Sequence, residues 1–215
     1  MKYNIIHQSW KNKFIPAKYL HNRILNKKIF KNYEFKLWTD IDNYNFLKEK
    51  YPSFLEIYKN FKNKIHKIDS IRYFYLYEYG GLYADFDVII YKNISKLINE
   101  DKLCLFSQDI KYESNNNPLK NNNYDFFIDP MLMYSPPKNK EIKNVIDILY
   151  QNNHNECNDI YTKMEKAGPI FLTKHFYNNN NIKRIHNKVV TFNHKEKFNN
   201  VYGIHYCDNS WVNYE

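Results

Sequence analysis

The chain has 215 residues, 43% hydrophobic and 18% aromatic, which excludes a disordered polymer and provides core for one compact domain over residues 1–215. Its formal charge of +9 is carried almost wholly by lysine, with guanidinium groups only at Arg23, Arg72 and Arg184. No dense basic block interleaves with aromatics, so specific nucleic-acid binding is excluded as an expectation.

The lysines, scattered among many asparagines, read as a coding bias towards A and T of the kind found in some viruses and low-GC bacteria. A functional alternative is attraction to anionic donors or membrane surfaces. Cys104, Cys157 and Cys207 lack metal-site spacing, and their odd number argues against a disulfide framework. There is no run of about 18 apolar residues, so no transmembrane segment is expected. Met1 to His7 runs straight into a strand, leaving no room for a signal peptide, and a cytoplasmic location is expected.

Tyr3–His7 reads as a buried first strand and Gln8-Ser9-Trp10 as the loop after it. In an open α/β sheet such loops, at the carboxyl ends of strands, bind ligands. Pro16 starts an amphipathic helix through Tyr19, Leu20, Ile24 and Leu25. Glu34–Trp38 alternates as a strand, and Asp40 is expected to cap the next helix, the alternative being contact with a nucleotide sugar. Short helices follow over 44–51 and from Ser53 to about Asn60, separated by Pro52.

The most informative stretch is Lys67–Tyr91. Ile65, Ile68, Tyr75, Leu76 and Tyr79 recur at helical spacing, and Gly80-Gly81 stops that helix. Asp69, Arg72 and Tyr73 share one helical face. An acid and a guanidinium presented together bracket a sugar, the acid accepting from hydroxyls and the guanidinium donating; the plainer alternative is a surface ion pair. Leu82-Tyr83-Ala84 then opens a strand that is expected to run through Asp85, Asp87 and Val88-Ile89-Ile90, with both acids on one face and Phe86 turned into the core. Two carboxylates projecting together repel each other unless a cation sits between them, and a hard divalent ion suits oxygen ligands.

Lys102–Phe106 reads as a strand, 111–124 as a long Asn-rich loop, and Phe126–Tyr134 as a strand placed at an edge or a bulge by Pro130. Glu141–Tyr150 is an amphipathic helix through Ile142, Val145, Ile146 and Leu149. Gly168-Pro169 turns ahead of another helix, and short strands are expected over Ile182–Ile185 and Val189–Phe192.

Asp69-Ser70-x-Arg72-Tyr73, Leu76 and Gly80-Gly81-x-Tyr83-x-Asp85-x-Asp87 together resemble glycosyltransferase family 32, whose sugar-binding region contains a DXD motif. Its members include initiating mannosyltransferases and capsule enzymes, with the glucosylating domains of the large clostridial toxins as distant relatives. The resemblance extends to His7-Gln8-Ser9-Trp10, to Trp38-Thr39-Asp40-x-Asp42, to Gly168-Pro169-x-x-Leu172-Thr173 and to His205-x-x-x-x-Ser210-Trp211. Ala167 departs from it by replacing a threonine. Asp129-Pro130 departs as well, where relatives tend to carry asparagine in a region facing acceptor and donor sugar.

The resemblance implies an α/β domain of the nucleotide-sugar-transferase A type (GT-A, Rossmann-like), with a mostly parallel sheet flanked by helices. It implies transfer of a hexose from a UDP- or GDP-sugar to a glycan, lipid-linked or protein acceptor, with retention and with Mn²⁺ or Mg²⁺. Asp85 and Asp87 are then the metal-binding acids, joined by His205 as a ligand of metal or phosphate. Asp69 and Arg72 orient the sugar with Tyr73 beside them, Gln8 and Trp10 form the nucleotide pocket, and Ser210 and Trp211 reach the diphosphate. The rival readings are a catalytically silent carbohydrate- or partner-binding module and a metal-dependent phosphatase or nuclease.

Overall fold

The computed structural model describes residues 1–110, 119, 124–152, 159–186, 190–191 and 201–208. In chain order its strands are β1 (Ile5–Ser9), β2 (Glu34–Trp38), β3 (Gly81–Ala84), β4 (Val88–Ile90), β5 (Cys104–Asp109), β6 (Phe126–Ser135), β7 (Lys183–His186), β8 (Val190–Thr191) and β9 (Gly203–His205). The helices are α1 (Ala17–Ile29), α2 (Asp40–Lys50), α3 (Pro52–Asn60), α4 (Lys64–Tyr79), α5 (Lys140–Gln151), α6 (Ile160–Lys166) and α7 (Pro169–Phe176).

A central sheet has the order β2-β1-β3-β6-β5-β7, and a small sheet the order β4-β9-β8. In the central sheet β1 runs parallel to β2 and β3, and β5 parallel to β7. Only β6 is reversed, antiparallel to both neighbours. The sheet is therefore mostly parallel, as expected. Its two faces carry separate cores. Along β3, Tyr83 enters the core under α4 and α5, while Leu82 and Ala84 enter the opposite one. A sheet covered on both faces calls for apolar strands, and every residue of β6 is buried.

Gly80 and Gly81 end α4 with φ of 64° and 92°. A Cβ on Gly81 would lie 2.5 Å from the Ile5 carbonyl, so both backbone conformation and close approach to β1 require glycine there. Among the described residues no helix is long and apolar enough to cross a membrane.

Several expectations need correction. The two acids do not lie on a continuous strand. The chain leaves the central sheet after Ala84, makes a turn closed by Val88 N–H to Asp85 O at 3.2 Å, and joins the small sheet as β4. Helix α1 holds that turn in place. Asn22 donates to the Phe86 carbonyl, and Asn26 donates to Val88 O while accepting from Ile90 N–H, at 2.7–2.9 Å. The buried face of α1 is accordingly Tyr19, Asn22, Arg23 and Asn26, while Leu20 and Ile24 are exposed. Backbone groups left unpaired by the turn select amides over alkyl side chains.

Thr39, not Asp40, caps α2, in a reciprocal capping box with Asp42. β6 is interior rather than an edge, but Pro130 does sit at a bulge, where the register with β5 jumps between Leu105 and Phe106. Strands β1 and β5 extend past the expected ends, so Gln8 and Ser107 are strand residues. Most of the Asn-rich loop, 111–118 and 120–123, lies outside the described residues, as do 189 and 192 of the expected Val189–Phe192 strand.

Candidate active site

Helix α4 delivers a buried ion pair to the cleft floor. Arg72 Nη2 donates to Asp69 Oδ1 at 2.7 Å, with both residues 5% exposed or less, so the plainer alternative of a surface pair does not hold. Arg72 Nη1 donates to the Pro130 carbonyl at 2.8 Å and lies 3.7 Å from Asp85 Oδ2. The Tyr83 ring packs 4.6 Å from the guanidinium, and its hydroxyl donates to Asp85 Oδ1 at 2.8 Å. Burial pushes the Asp69 and Asp85 carboxyls up to about 6, against the pull of Arg72. Burial also opposes the Arg72 charge, but Tyr83, Asp85 and Asp69 outweigh it and hold the guanidinium cationic.

Gly168, just before α7, closes over this pair; a Cβ there would lie 2.8 Å from Asp69 Oδ2. Tyr73, on the same helical face, is wholly buried and donates to the Ala167 carbonyl. It supports the floor from beneath and is absent from the cleft lining.

The metal-ligand candidates come from two segments far apart in the sequence. β4 and β9 pair with Val88 opposite His205, which brings the imidazole to the acids. His205 Nε2 lies 3.3 Å from Asp87 Oδ2, and ligand atoms of Asp85, Asp87 and His205 all lie within 4.8 Å of one another. Two carboxylate oxygens and one imidazole nitrogen form a donor set that fits Mn²⁺ well and Mg²⁺, which favours oxygen, less well. Burial alone would raise the Asp87 carboxyl, but the His205 hydrogen bond overrides it and the group is held low, helped by Asp208 N–H at 3.1 Å. For His205, burial disfavours the charge, yet hydrogen bonds to Asp129 and Asp87 lift it well above the ordinary imidazole range.

Asp129 stands in the cleft region the resemblance implied, but its contact with His205 is one the sequence did not reveal. It sits at the β6 bulge, accepts from Gln108 Nε2 at 2.9 Å and from Met131 N–H at 3.0 Å, and lies 3.5 Å from His205 Nδ1. The signal available was Asp-Pro inside an apolar strand, which marks a bulge and a turned-in side chain.

These groups open into a cleft of about 780 Å³, lined also by Trp10, Tyr19, Asp40 and Cys207. Trp10 packs against Tyr19 and Phe86, with ring centroids 5.0 and 5.6 Å away. Gln8 is not in the lining. It is buried in β1, where its Oε1 accepts from Arg23, which also donates to Phe35 O. Ser210 and Trp211 lie outside the described residues. One end of the cleft carries Lys11, Lys59, Lys62, Lys64 and Lys67, a cluster hidden in a sequence where lysine is everywhere.

Residues 7–104 match the family described as the glycosyltransferase sugar-binding region containing a DXD motif. This segment belongs to that DXD glycosyltransferase family. The chain is 30% identical over 175 residues to inositol phosphoceramide mannosyltransferase 1 of Schizosaccharomyces pombe, covering 80% of this chain and 50% of the relative. It is 43% identical over 83 residues to mannosyl phosphorylinositol ceramide synthase SUR1 of Saccharomyces cerevisiae, covering 39% and 22%. The chain thus spans half or less of the length of these relatives. Among solved structures, the PaToxG glycosyltransferase superposes with a TM-score of 0.56 at 18% identity, over 81% of this chain and 67% of that one. The DXD glycosyltransferase segment therefore sits in the α/β fold of the nucleotide-sugar-transferase A type.

Proposed function

We propose that residues 1–215 act as one metal-dependent glycosyltransferase domain, moving a hexose from a UDP- or GDP-sugar to a glycan, lipid-linked or protein acceptor. The observation that carries this reading is the convergence of Asp85, Asp87 and His205 within 4.8 Å, beside the buried Asp69–Arg72 pair in one cleft. The names of the relatives make mannose the first sugar to test and inositol phosphoceramide the first acceptor.

In this reading Asp87, His205 and Asp85 would hold Mn²⁺ (or Mg²⁺). Such an ion would supply Lewis acidity towards the nucleoside diphosphate. Arg72 donates to, and Asp69 accepts from, the transferred sugar, fixing its orientation at low dielectric. Trp10 offers its face to the nucleobase, a stacking contact worth roughly 1–3 kcal/mol.

The acceptor oxygen bonds to the anomeric carbon on the face the diphosphate leaves. The carbon–oxygen bond to phosphate breaks with its electron pair on the diphosphate, which takes the acceptor proton, so configuration is retained.

The test is thermal melting with UDP, GDP or GDP-mannose, each with Mn²⁺ or EDTA, alongside donor hydrolysis. A nucleotide at a hundred times its Kd adds about 2.7 kcal/mol, a shift of several degrees for a domain of this size. One nucleotide shifting the melt only with metal, and its sugar being hydrolysed, supports the reading. No shift and no hydrolysis with any donor would move the chain to the silent binding-module class.

A further inference from the structure

The lysine-lined end of the cleft continues onto an exposed surface that nucleotide-sugar chemistry does not use. Three segments meet there. The loop after β1 carries Lys11, Lys13 and Phe14, and it is tied to the first turn of α2 by Asp40 N–H to Lys11 O at 3.3 Å. That turn presents Ile41 and, one helical turn on, Tyr44. The α3–α4 junction adds Lys59, Lys62, Lys64 and Lys67.

Lys11, Lys64 and Lys67 all act electrostatically on Asp40, and Lys13 and Lys36 on Asp42, so the cations surround the start of α2. Phe14, next in sequence to Lys13, is 86% exposed, and on α2 Ile41 is 62% and Tyr44 38% exposed. Large apolar side chains exposed on segments that also carry lysines combine two terms that favour an anionic lipid interface. The side chains enter the headgroup–acyl boundary, and each lysine gains from the negative surface potential. A purely polar acidic partner would satisfy the lysines but not Phe14 and Ile41, and a second copy of a chain at +9 would meet like charge.

We propose that this face docks the protein on an anionic bilayer and turns the mouth of the cleft towards a lipid-borne acceptor. The inference rests on the glycosyltransferase reading for its purpose, though not for its geometry. Phe14, Ile41 and Lys13 lie outside the cleft lining, so they can be changed without touching the donor site. Each lysine near an anionic surface contributes roughly fivefold in partition, so the patch should bind steeply and lose binding as salt rises.

The experiment is co-sedimentation of the full chain with phosphatidylcholine vesicles, with and without phosphatidylinositol. It compares the native protein with a Phe14→Ser/Ile41→Ser variant and with Lys13→Glu. Expected are binding to the anionic vesicles alone, a loss of about tenfold or more in the double variant, and a loss of about twentyfold in Lys13→Glu, which changes the charge by two units. Melting temperature and vesicle-free donor hydrolysis should stay unchanged in both variants. Equal partition of native protein and variants would overturn the proposal, as would no vesicle binding by the native protein. So would concentration-dependent dimerisation abolished by the same changes. A protein that hydrolyses donor yet ignores vesicles would sink only the docking proposal, whereas vesicle binding without hydrolysis would sink only the glycosyltransferase reading.

Discussion

His205 Nε2 lies 3.3 Å from Asp87 Oδ2 because β9 pairs with β4 in antiparallel register, Val88 opposite His205. The C-terminal strand thus completes a site begun by the acids behind α4. The tail is fastened further by Tyr206 N–H to Asp87 O at 3.0 Å and by the Lys18–Asp208 ion pair at 2.7 Å.

Asp87→Asn is expected to abolish transfer and Mn²⁺ binding while leaving unfolding free energy within about 1 kcal/mol, since the amide keeps the shape and can still accept from Asp208 N–H. Electron paramagnetic resonance of Mn²⁺ and urea unfolding check the two halves. Full activity in this variant with Mn²⁺ would show that Asp87 is not a ligand.

Asp129 is a positioning residue for His205. Its carboxylate faces Nδ1 and directs Nε2 towards Asp87 and Asp85, the arrangement by which outer carboxylates fix ligating imidazoles. Asp129→Asn should weaken Mn²⁺ binding by about 10–100-fold, with a smaller loss of stability. Calorimetric titration of Mn²⁺ into both proteins decides it, and equal affinities would reduce Asp129 to a packing role.

Arg72 neutralises the buried Asp69 and the half-buried Asp85 at once. Arg72→Met should therefore cost about 3–5 kcal/mol in urea unfolding, because Asp69 and Asp85 would be left uncompensated. Adding Asp69→Asn should recover part of that loss. A single variant as stable as the native protein would mean that Asp69 is already protonated in the native state.

His7 carries the acid sensitivity of the first strand. Its Nδ1 accepts from Trp38 Nε1 at 3.1 Å and its Nε2 donates to Gly80 O at 2.9 Å, so the neutral ring is fully engaged. Burial pulls its pKa from 6.5 to about 4. The unfolded chain therefore binds the proton first as pH falls. Stability from this residue is complete above about 6.5, declines between 6.5 and 4, and levels off below, a loss of about 3 kcal/mol. Asp69 and Asp85, raised to about 6, act in the opposite sense. The measurement is accordingly the difference in pH dependence between the native protein and His7→Gln under urea. Parallel curves would refute the assignment.

What the sequence determined by itself is local. Helical spacing placed α4, Gly80-Gly81 ended it where positive φ was needed, Glu34–Trp38 alternated as β2, and Asp69 and Arg72 shared a face because they stand three residues apart. Each depends on periods and capping that act within a few residues. Tertiary structure alone decided the remainder. Asp85 and Asp87 occupy a turn rather than a strand because Asn22 and Asn26 hold that backbone, and this reverses the buried face of α1. Asp129 meets His205, and Tyr73 and Gln8 turn away from the cleft, through strand pairings and packing between distant segments. Those contacts are fixed by which backbone groups need partners once the sheet has formed, a condition no local pattern of residues records.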